Sequence, residues 1–208
     1  MSSTAFRDLL EARAHAANIS IDAEALGRLE TYFRLLSHWN KRINLTSLPL
    51  EPLTERAVDR LFIEPLIAAP LIAASASVWF DLGSGGGSPA FPLQIVRPIS
   101  RLNLVESRNR KAAFLREVIR ALGLAGAEVR AIRIEALADD DDNEGAADLV
   151  TVRAVRMSAT LFSQLDRLLK VGGQAVLFGA APQKLDAPRG LDIQYVEPSL
   201  VVLRRVLI

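Results

Sequence analysis

Residues 76–91 combine a short apolar stretch, a run of glycines and a serine–proline pair, and they limit the possible folds more than any other segment. The β-favouring residues 78–80 predict a short buried strand that ends at Asp81. Four glycines follow within residues 83–87, where they permit positive φ angles and remove the Cβ atoms that would hold a ligand away. Ser88-Pro89 predicts a helix start, with the serine hydroxyl as N-cap and proline in the first helical position. This order of elements predicts a ligand site against bare backbone.

The spacing of the glycines indicates which ligand to expect. A dinucleotide-binding G-x-G-x-x-G motif that begins at Gly83 would require glycine at position 88, which is serine. The chain carries Asp81-x-Gly83-x-Gly85-x-Gly87 instead, which resembles the first motif of methyltransferases that use S-adenosylmethionine (SAM). Such a loop wraps a nucleoside with an amino-acid tail rather than a pyrophosphate. The alternative is a flexible glycine turn without a ligand.

The composition excludes several kinds of chemistry. The 208 residues include no cysteine, which excludes disulfides, thiolate metal sites, iron–sulfur clusters and cysteine nucleophiles. His15 and His38 fall in helical stretches without metal-ligand spacing, so no metal site is expected. The 25 basic and 24 acidic residues nearly cancel, so any RNA contact requires a local patch. We expect a cytoplasmic protein, because the N-terminus lacks signal-peptide features and the longest apolar run, residues 65–74, is too short to span a bilayer.

The first 75 residues predict a helical cap in front of the glycine strand. Helical periodicity covers residues 4–18 and 22–42, with Asp22 as the N-cap of the second helix. Residues 51–73 predict one or two further helices, with breaks at Pro65 and Pro70. We therefore expect a cap over residues 1–75 and a ligand-binding domain over residues 76–208.

Strands and helices alternate after the glycine loop, a pattern typical of a mostly parallel sheet. The predicted strands cover residues 102–105, 128–132, 148–152 and 174–178. The predicted helices cover 109–122, which Gly123 closes, and 157–169, which a turn at 170–173 follows. The last two predicted strands, 191–196 and 200–207, follow each other without a helix, which predicts an antiparallel pair at the sheet edge. The acidic residues within 139–144 predict a solvated loop rather than a metal site.

Polar residues lie at the carboxyl ends of the predicted strands, where open parallel sheets bind ligands. Glu106 follows the second strand and is suited to accept hydrogen bonds from both ribose hydroxyls, the alternative being a solvent-exposed strand-end glutamate. Asp81 either holds the turn or contacts the ammonium group of the ligand. Glu135 is either a helix cap or part of an adenine pocket. Arg153 ends a buried strand, so its charge needs a ligand carboxylate, a phosphate or a structural acid as partner.

The missing residue types also narrow the methyl acceptor. Without cysteine, covalent methylation at pyrimidine C5 and radical SAM chemistry are both excluded. Methylation of an exocyclic amine commonly uses an Asn/Asp-Pro-Pro-aromatic loop after the fourth strand, where this chain has Thr-Val-Arg-Ala-Val at residues 151–155. A ring nitrogen such as guanine N7 has a lone pair and no proton, so its methylation requires positioning and desolvation rather than a general base. We therefore expect no catalytic acid–base residue.

From about Tyr32 onward the chain resembles the bacterial glucose-inhibited division protein B family, which methylates guanine N7 in small-subunit (16S) ribosomal RNA. The segments that carry the resemblance are Trp-Asn-Lys-Arg-Ile-Asn-Leu-Thr at 39–46, the glycine loop at 81–92, the strand and helix signature at 104–107 and 110–115, Arg-Ala at 153–154, and Leu-Leu-Lys-Val-Gly-Gly at 168–173. The resemblance implies a class I SAM-dependent methyltransferase fold, Rossmann-like, in which a seven-stranded, mostly parallel sheet lies behind the helical cap.

The resemblance also implies residue roles. SAM is expected to contact Gly83, Ser88, the pair Ile134-Glu135 and Arg153, with Glu106 on the ribose. Together with the loop itself, the predicted cofactor-binding residues are Asp81, Gly83, Gly85, Gly87, Ser88, Glu106, Ile134, Glu135 and Arg153. The expected partner is small-subunit ribosomal RNA or a ribosomal particle. The sequence does not determine the oligomeric state, and a monomer is favoured. The predicted RNA contacts are Asn40, Lys41, Arg42, Arg56 and Arg156.

The chain departs from the family pattern at several positions. Residues 55–60, Glu-Arg-Ala-Val-Asp-Arg, lack the histidine and serine of the family's Arg-His-x-x-Asp-Ser. Ser88 replaces an aromatic residue or leucine, Ala90 replaces glycine, and Phe178 replaces the lysine of a Leu-Lys-Gly sequence. These changes affect the RNA-facing half more than the SAM half. Two alternatives therefore stay open: a methyltransferase of the same fold with another RNA or small-molecule substrate, and a SAM-binding protein without turnover.

Overall fold

A seven-stranded sheet forms the centre of the computed structural model, which describes residues 3–154, 158–179 and 189–207. The strands are β1 (Val78–Leu82), β2 (Arg101–Val105), β3 (Ala127–Arg130), β4 (Ala147–Arg153), β5 (Leu169–Phe178), β6 (Leu191–Glu197) and β7 (Leu200–Arg205). Their order is β3-β2-β1-β4-β5-β7-β6, and β1 to β5 pair in parallel. Strand β7 is antiparallel to both β5 and β6. The predicted α/β class, with an antiparallel pair at one edge, is confirmed.

Helices cover both faces of this sheet. They are α1 (Ser3–Ala16), α2 (Ala23–Asn40), α3 (Glu55–Val58), α4 (Glu64–Ala68), α5 (Ala90–Val96), α6 (Asn109–Leu122), α7 (Ile134–Ala138) and α8 (Ala159–Leu168). The predicted start and end signals are confirmed for α2 and α6. The Asp22 side chain accepts a 2.7 Å hydrogen bond from the amide of Ala25, and Gly123 ends α6 in the left-handed conformation.

Two predictions about local structure were wrong. Pro65 does not break the helical run, because a π-helical turn at Asp59–Ile63 joins α3 to α4. The helical backbone therefore continues through the position where proline cannot donate a hydrogen bond. The predicted turn at 170–173 belongs to β5, which begins directly after α8. The pairing of β4 with β5 passes from Ala147 opposite Leu169 to Leu149 opposite Gln174, so residues 170–173 bulge from the ladder within β5. The predicted start of α8 at Met157 lies outside the described residues, and the helix has Ser158 as its N-cap.

Each face of the sheet has its own hydrophobic core, because successive strand residues alternate between the faces. Trp79 belongs to the first core, which also contains Phe6, Phe33 and Phe62 from the N-terminal helices. Phe80 belongs to the second core, which is covered by α7 and α8. The N-terminal helices therefore pack directly on the face of the sheet that carries α5 and α6. The boundary at residue 75 stays a prediction.

Candidate active site

A cavity of about 720 Å³ opens at the carboxyl ends of β1, β2 and β4, a size typical of small-molecule sites. On the sheet side it is lined by residues 83–86, Ser88, Glu106 and Arg153, and on the cap side by residues 44–48, Arg56 and Arg60. Six of the predicted site residues therefore border one cavity: Gly83, Gly85, Ser88, Glu106, Arg153 and Arg56. In the part of the chain that the structure describes, no group of acidic and histidine side chains suits a metal ion, and no helix is long and apolar enough to cross a membrane.

The glycine loop is tied to the end of β2 through its backbone. The amides of Gly83 and Ser84 donate hydrogen bonds of 2.9 and 3.0 Å to the carbonyl oxygen of Val105. Gly83 has φ +72° and Gly85 has φ +50°, a region that side chains disfavour. Gly87 also has a positive φ, +83°, and a Cβ there would in addition lie 2.3 Å from the Phe91 ring. Gly87 does not line the cavity, and its predicted contact with the cofactor stays a prediction.

Glu106 is a buried carboxylate with a fixed orientation. Only 8% of the residue is exposed, so the solvent-exposed alternative is excluded. Its Oε2 accepts a 3.0 Å hydrogen bond from the amide of Gly85, and its Oε1 accepts one of 2.8 Å from the amide of Arg108. Each carboxylate oxygen can accept a second hydrogen bond. Glu106 therefore presents oriented acceptors at the wall of the cavity.

Asp81 lies beneath the glycine loop, and it does not line the cavity. It is 1% exposed. Its Oδ1 accepts a 2.5 Å hydrogen bond from the hydroxyl of Thr151, which in turn accepts one from the indole N–H of Trp79. Its Oδ2 is buried without a partner among the described residues. Burial raises the pKa of Asp81 from 3.8 to about 6. These bonds join the ends of β1 and β4.

Arg153 has a structural acid as one partner. Its Nη1 lies 2.9 Å from Oε2 of Glu64, and its Cζ lies 4.8 Å from the centroid of the Phe178 ring. The side chain is 13% exposed, and burial lowers the pKa of the guanidinium. Its Nε and Nη2 are buried without a partner in the described structure, and such groups are costly unless a ligand satisfies them. Glu64 was not predicted from the sequence, where its one local signal is the i,i+4 spacing from Arg60.

Ser88 does not cap the following helix, so that prediction was wrong. The N-cap of α5 is Pro89, with no side-chain hydrogen bond. The Ser88 hydroxyl donates a 2.8 Å hydrogen bond to the carbonyl oxygen of Leu61 instead. That oxygen is the one to which residue 65 would donate in an α-helix, and Pro65 has no N–H. Ser88 thus joins the glycine loop to the cap.

Of the predicted RNA-binding residues of the cap, Arg56 lines the cavity, whereas Asn40, Lys41 and Arg42 do not. The Asn40 amide oxygen accepts hydrogen bonds of 2.9 and 3.0 Å from the amides of Leu45 and Thr46, which fixes the segment 44–48 at the cavity wall. Lys41 is exposed and lies 2.9 Å from Glu51. Arg42 is also exposed. Their contacts with RNA stay predictions, and Arg156 lies outside the described residues.

Ile134 and Glu135 begin α7 after β3. Ile134 is partly buried and packs against the second core. Neither residue lines the cavity, so their predicted contact with the cofactor stays a prediction.

Solved structures with this architecture define the class of protein. A methyltransferase from Geobacter sulfurreducens superposes with a TM-score of 0.62 over 93% of this chain and 94% of that chain, at 13% identity. A mutant of MtNAS in complex with S-adenosylmethionine superposes with a TM-score of 0.57 over 95% of this chain and 84% of that chain, at 19% identity. At these identities the likeness is one of fold. The chain has the α/β fold of class I SAM-dependent methyltransferases.

Sequence comparison identifies the family within this class. The family model GidB, described as rRNA small subunit methyltransferase G, matches residues 25–189. The ribosomal RNA small subunit methyltransferase G of Xanthomonas euvesicatoria pv. vesicatoria (strain 85-10) is 38% identical over 184 residues, covering 86% of this chain and 82% of the relative. That of Roseiflexus sp. (strain RS-1) is 36% identical over 186 residues, covering 89% and 74%. The chain belongs to the rRNA small subunit methyltransferase G family, and the predicted family, fold and methyltransferase class are confirmed.

Proposed function

We propose that this protein transfers the methyl group of SAM to N7 of a guanine in small-subunit ribosomal RNA. The observation that carries the proposal is the composition of one cavity wall. Bare backbone at residues 83–86, the oriented carboxylate of Glu106 and the unpaired N–H groups of Arg153 all belong to that wall. Ribose hydroxyls need acceptors, a carboxylate needs donors, and a nucleoside packs closely only where side chains are absent. The residues therefore fit SAM.

The proposed contacts assign one part of SAM to each group. Glu106 accepts hydrogen bonds from the two ribose hydroxyls, and Arg153 donates from Nε and Nη2 to the carboxylate. Gly83 and Gly85 provide the close backbone approach. Asp81, whose Oδ2 lacks a described partner, adds negative charge beneath the loop that favours the ammonium group. Ile134 and Glu135, at the start of α7, border the adenine in this proposal.

The chemistry requires little from the side chains. Bound SAM supplies an electrophilic methyl group on a sulfonium. Guanine N7 has a free lone pair and no proton to lose, so the chain needs to orient the base and exclude water rather than remove a proton. The proposal therefore assigns no general base, and Glu106 is retained as a binding group.

The charge at the cavity favours a polyanionic substrate. Five cationic side chains line it, Arg56, Arg60, Arg108, Lys111 and Arg153, against the carboxylate of Glu106 among the described lining residues. The whole chain is nearly neutral, so this local patch is the electrostatic basis proposed for RNA binding. Asn40, Lys41, Arg42 and Arg156 extend the proposed RNA surface beyond the rim. A ribosomal substrate would place the protein in the cytoplasm.

The test is methyl transfer to unmodified small-subunit ribosomal RNA, supplied both as naked RNA and as ribosomal particles. The purified full chain is incubated with methyl-labelled SAM, and the RNA is digested to nucleosides for mass spectrometry. We expect 7-methylguanosine, and we expect the Glu106→Ala variant to form far less of it. Glu128→Ala is the matched control, because Glu128 is exposed on β3.

The other outcomes separate the alternatives. Label in a different nucleoside, or in a small molecule rather than ribosomal RNA, supports a changed substrate. SAM binding without transfer to either form of the RNA supports a binding protein without turnover. Either result overturns the proposed reaction.

A further inference from the structure

A cluster of charged side chains joins the cap to Arg153, and the proposed SAM contacts use only Arg153 from it. Glu64 lies between two guanidinium groups: its Oε1 is 2.7 Å from Nη1 of Arg60, and its Oε2 is 2.9 Å from Nη1 of Arg153. One carboxylate cannot balance two guanidinium groups, so the trio retains one positive charge. Arg56, which also lines the cavity, adds a second, and no described carboxylate forms an ion pair with it. The cluster therefore has more positive than negative charges, and a bound anion would balance them.

Arg60 has both the donors and the access to bind an anion. Among the described residues only Glu64 accepts a hydrogen bond from it, whereas a guanidinium carries five N–H groups in a planar fork. Its side chain is 35% exposed, against 13% for Arg153. Arg60 thus occupies the outer part of the cluster, within reach of a macromolecular ligand.

The position of the Arg60 guanidinium depends on the residue at the end of β5. A Cβ at position 179 would lie 2.8 Å from Nη2 of Arg60 and 3.6 Å from its Cζ. Glycine at this position therefore leaves the space that the guanidinium occupies. Glu64 on one side and Gly179 on the other hold the fork beside the cavity.

Two departures from the family pattern meet at this cluster. Phe178 replaces a lysine of that pattern, and its ring lies against Arg153. Arg60 replaces a serine, and its guanidinium lies beside Gly179, the neighbour of Phe178. Arg60 therefore places a guanidinium beside the end of β5.

We propose that Arg60, together with Arg56, binds a phosphate group of the substrate RNA, and that Glu64 and Gly179 position its guanidinium. This inference rests on the proposed function, and it adds Arg60 to the residues predicted to bind RNA. A phosphate is favoured over the carboxylate of SAM for two reasons. Arg153 already offers buried, unpaired donors for one carboxylate. The remaining cationic groups are more exposed, and an arginine fork matches the oxygens of a phosphate.

The test measures binding rather than turnover. The RNA affinity of the full chain is measured at several salt concentrations, with deproteinised, unmodified small-subunit ribosomal RNA as the probe. SAM affinity is measured separately by calorimetry. The variants are Arg60→Gln, Arg60→Lys and the control Arg7→Gln, because Arg7 is also a partly exposed arginine paired with a glutamate, on α1.

We expect Arg60→Gln to weaken RNA binding about tenfold at physiological salt. The slope of log affinity against log salt concentration should become shallower by about 0.7–0.9, the contribution of one phosphate contact. SAM affinity should not change. Arg60→Lys keeps the charge and should keep the salt slope, and Arg7→Gln should match the wild type in every measurement.

Each other result overturns the inference. Weaker SAM binding with an unchanged salt slope would assign the anion to the cofactor. Unchanged affinities for both ligands would make Arg60 a structural residue. If Arg60→Gln does not fold, Arg56→Gln decides: a shallower salt slope supports the phosphate site, and a wild-type slope contradicts it. The wild type and the variants could bind RNA as expected although the wild type transfers no methyl group. That result would contradict the proposed reaction but not the phosphate contact.

Discussion

The hydroxyl of Tyr32 donates a 2.7 Å hydrogen bond to the carbonyl oxygen of Gly86. Tyr32 belongs to α2 of the helical cap and is fully buried, whereas Gly86 lies in the glycine loop. The Tyr32 ring also packs against Phe62 and Phe91, with centroids 5.6 and 5.4 Å away. The conformation of the loop that is proposed to bind SAM is therefore stabilised in part by the cap.

Tyr32→Phe should weaken both the fold and the loop. The variant keeps the ring but leaves the carbonyl of Gly86 without its buried donor, so we expect the free energy of unfolding to fall by about 1–2 kcal/mol. Urea denaturation measures this loss, and calorimetry should show weaker SAM binding. Tyr195→Phe is the control, because the Tyr195 hydroxyl bonds to Glu197 at an exposed site. Equal losses in the two variants would contradict a specific role for the contact between cap and loop.

Glu106→Gln should weaken SAM binding by at least tenfold while the fold is retained. Hydrogen bonds from two ribose hydroxyls to a charged acceptor contribute about 1.5–3 kcal/mol each. The amide also turns an N–H₂ group toward one of the backbone amides that now donate to the carboxylate. Calorimetry measures the affinity, and Glu128→Gln on the exposed side of β3 is the matched control. Unchanged affinity would remove Glu106 from the cofactor site.

Local signals in the sequence predicted most of the fold. The strand, glycine loop and helix order around residues 76–91 and the alternation that follows it define the parallel sheet, and the missing helix between β6 and β7 predicts the antiparallel edge. Cap signals such as Asp22 and Gly123 act within a few residues of each other, so they can be recognised without tertiary contacts. Glu106 could also be recognised without tertiary contacts, because it directly follows a predicted strand.

The features that were missed depend on contacts between distant segments. Ser88 has the sequence signature of an N-cap, yet its hydroxyl bonds to Leu61, 27 residues away. Glu64 gained importance only when the fold placed Arg153 beside it, 89 residues along the chain. Gly179 is informative because Arg60 occupies the space next to it. No periodicity or spacing rule encodes such pairs.

Asp81 should make stability depend on pH in the direction opposite to most carboxylates. Burial raises its pKa from 3.8 to about 6, so the folded protein holds this proton more tightly than the unfolded chain. The resulting stabilisation is fully present below about pH 4 and is lost as the pH rises through about 6, a change on the order of 3 kcal/mol. In urea denaturation from pH 4 to 7, Asp81→Asn should therefore become progressively more stable relative to the wild type.

Asp148 provides a control, because its contribution to stability changes with pH in the opposite direction. Partial burial opposes its ionisation, but hydrogen bonds from Lys170, Ser77 and Val78 lower its pKa to about 2. Its contribution is present above about pH 4 and is lost as the pH falls toward 2. Asp148→Asn should therefore be less stable than the wild type at neutral pH and approach it in acid. If the Asp81 variant followed the same direction, its carboxyl would not be the buried group described here.

Gly179→Ala should reduce RNA binding through Arg60. The new Cβ would lie 2.8 Å from Nη2 of Arg60, a separation that forces the guanidinium to move. Gly179 also has φ +78°, so alanine adds backbone strain of about 1 kcal/mol. Gly145→Ala separates the two effects, because Gly145 has φ +59° and open space around the position of its Cβ.

We expect Gly145→Ala to lose stability but to keep the wild-type affinity for ribosomal RNA. Gly179→Ala should lose a similar amount of stability and, in addition, weaken RNA binding about as much as Arg60→Gln does. The double variant Gly179→Ala/Arg60→Gln should bind RNA no more weakly than either single variant, because both changes act on the same guanidinium and their effects are then not additive. Additive losses in RNA affinity would mean that position 179 affects the RNA independently of Arg60. The positioning role assigned to the glycine would then be wrong, even if Arg60 itself binds phosphate.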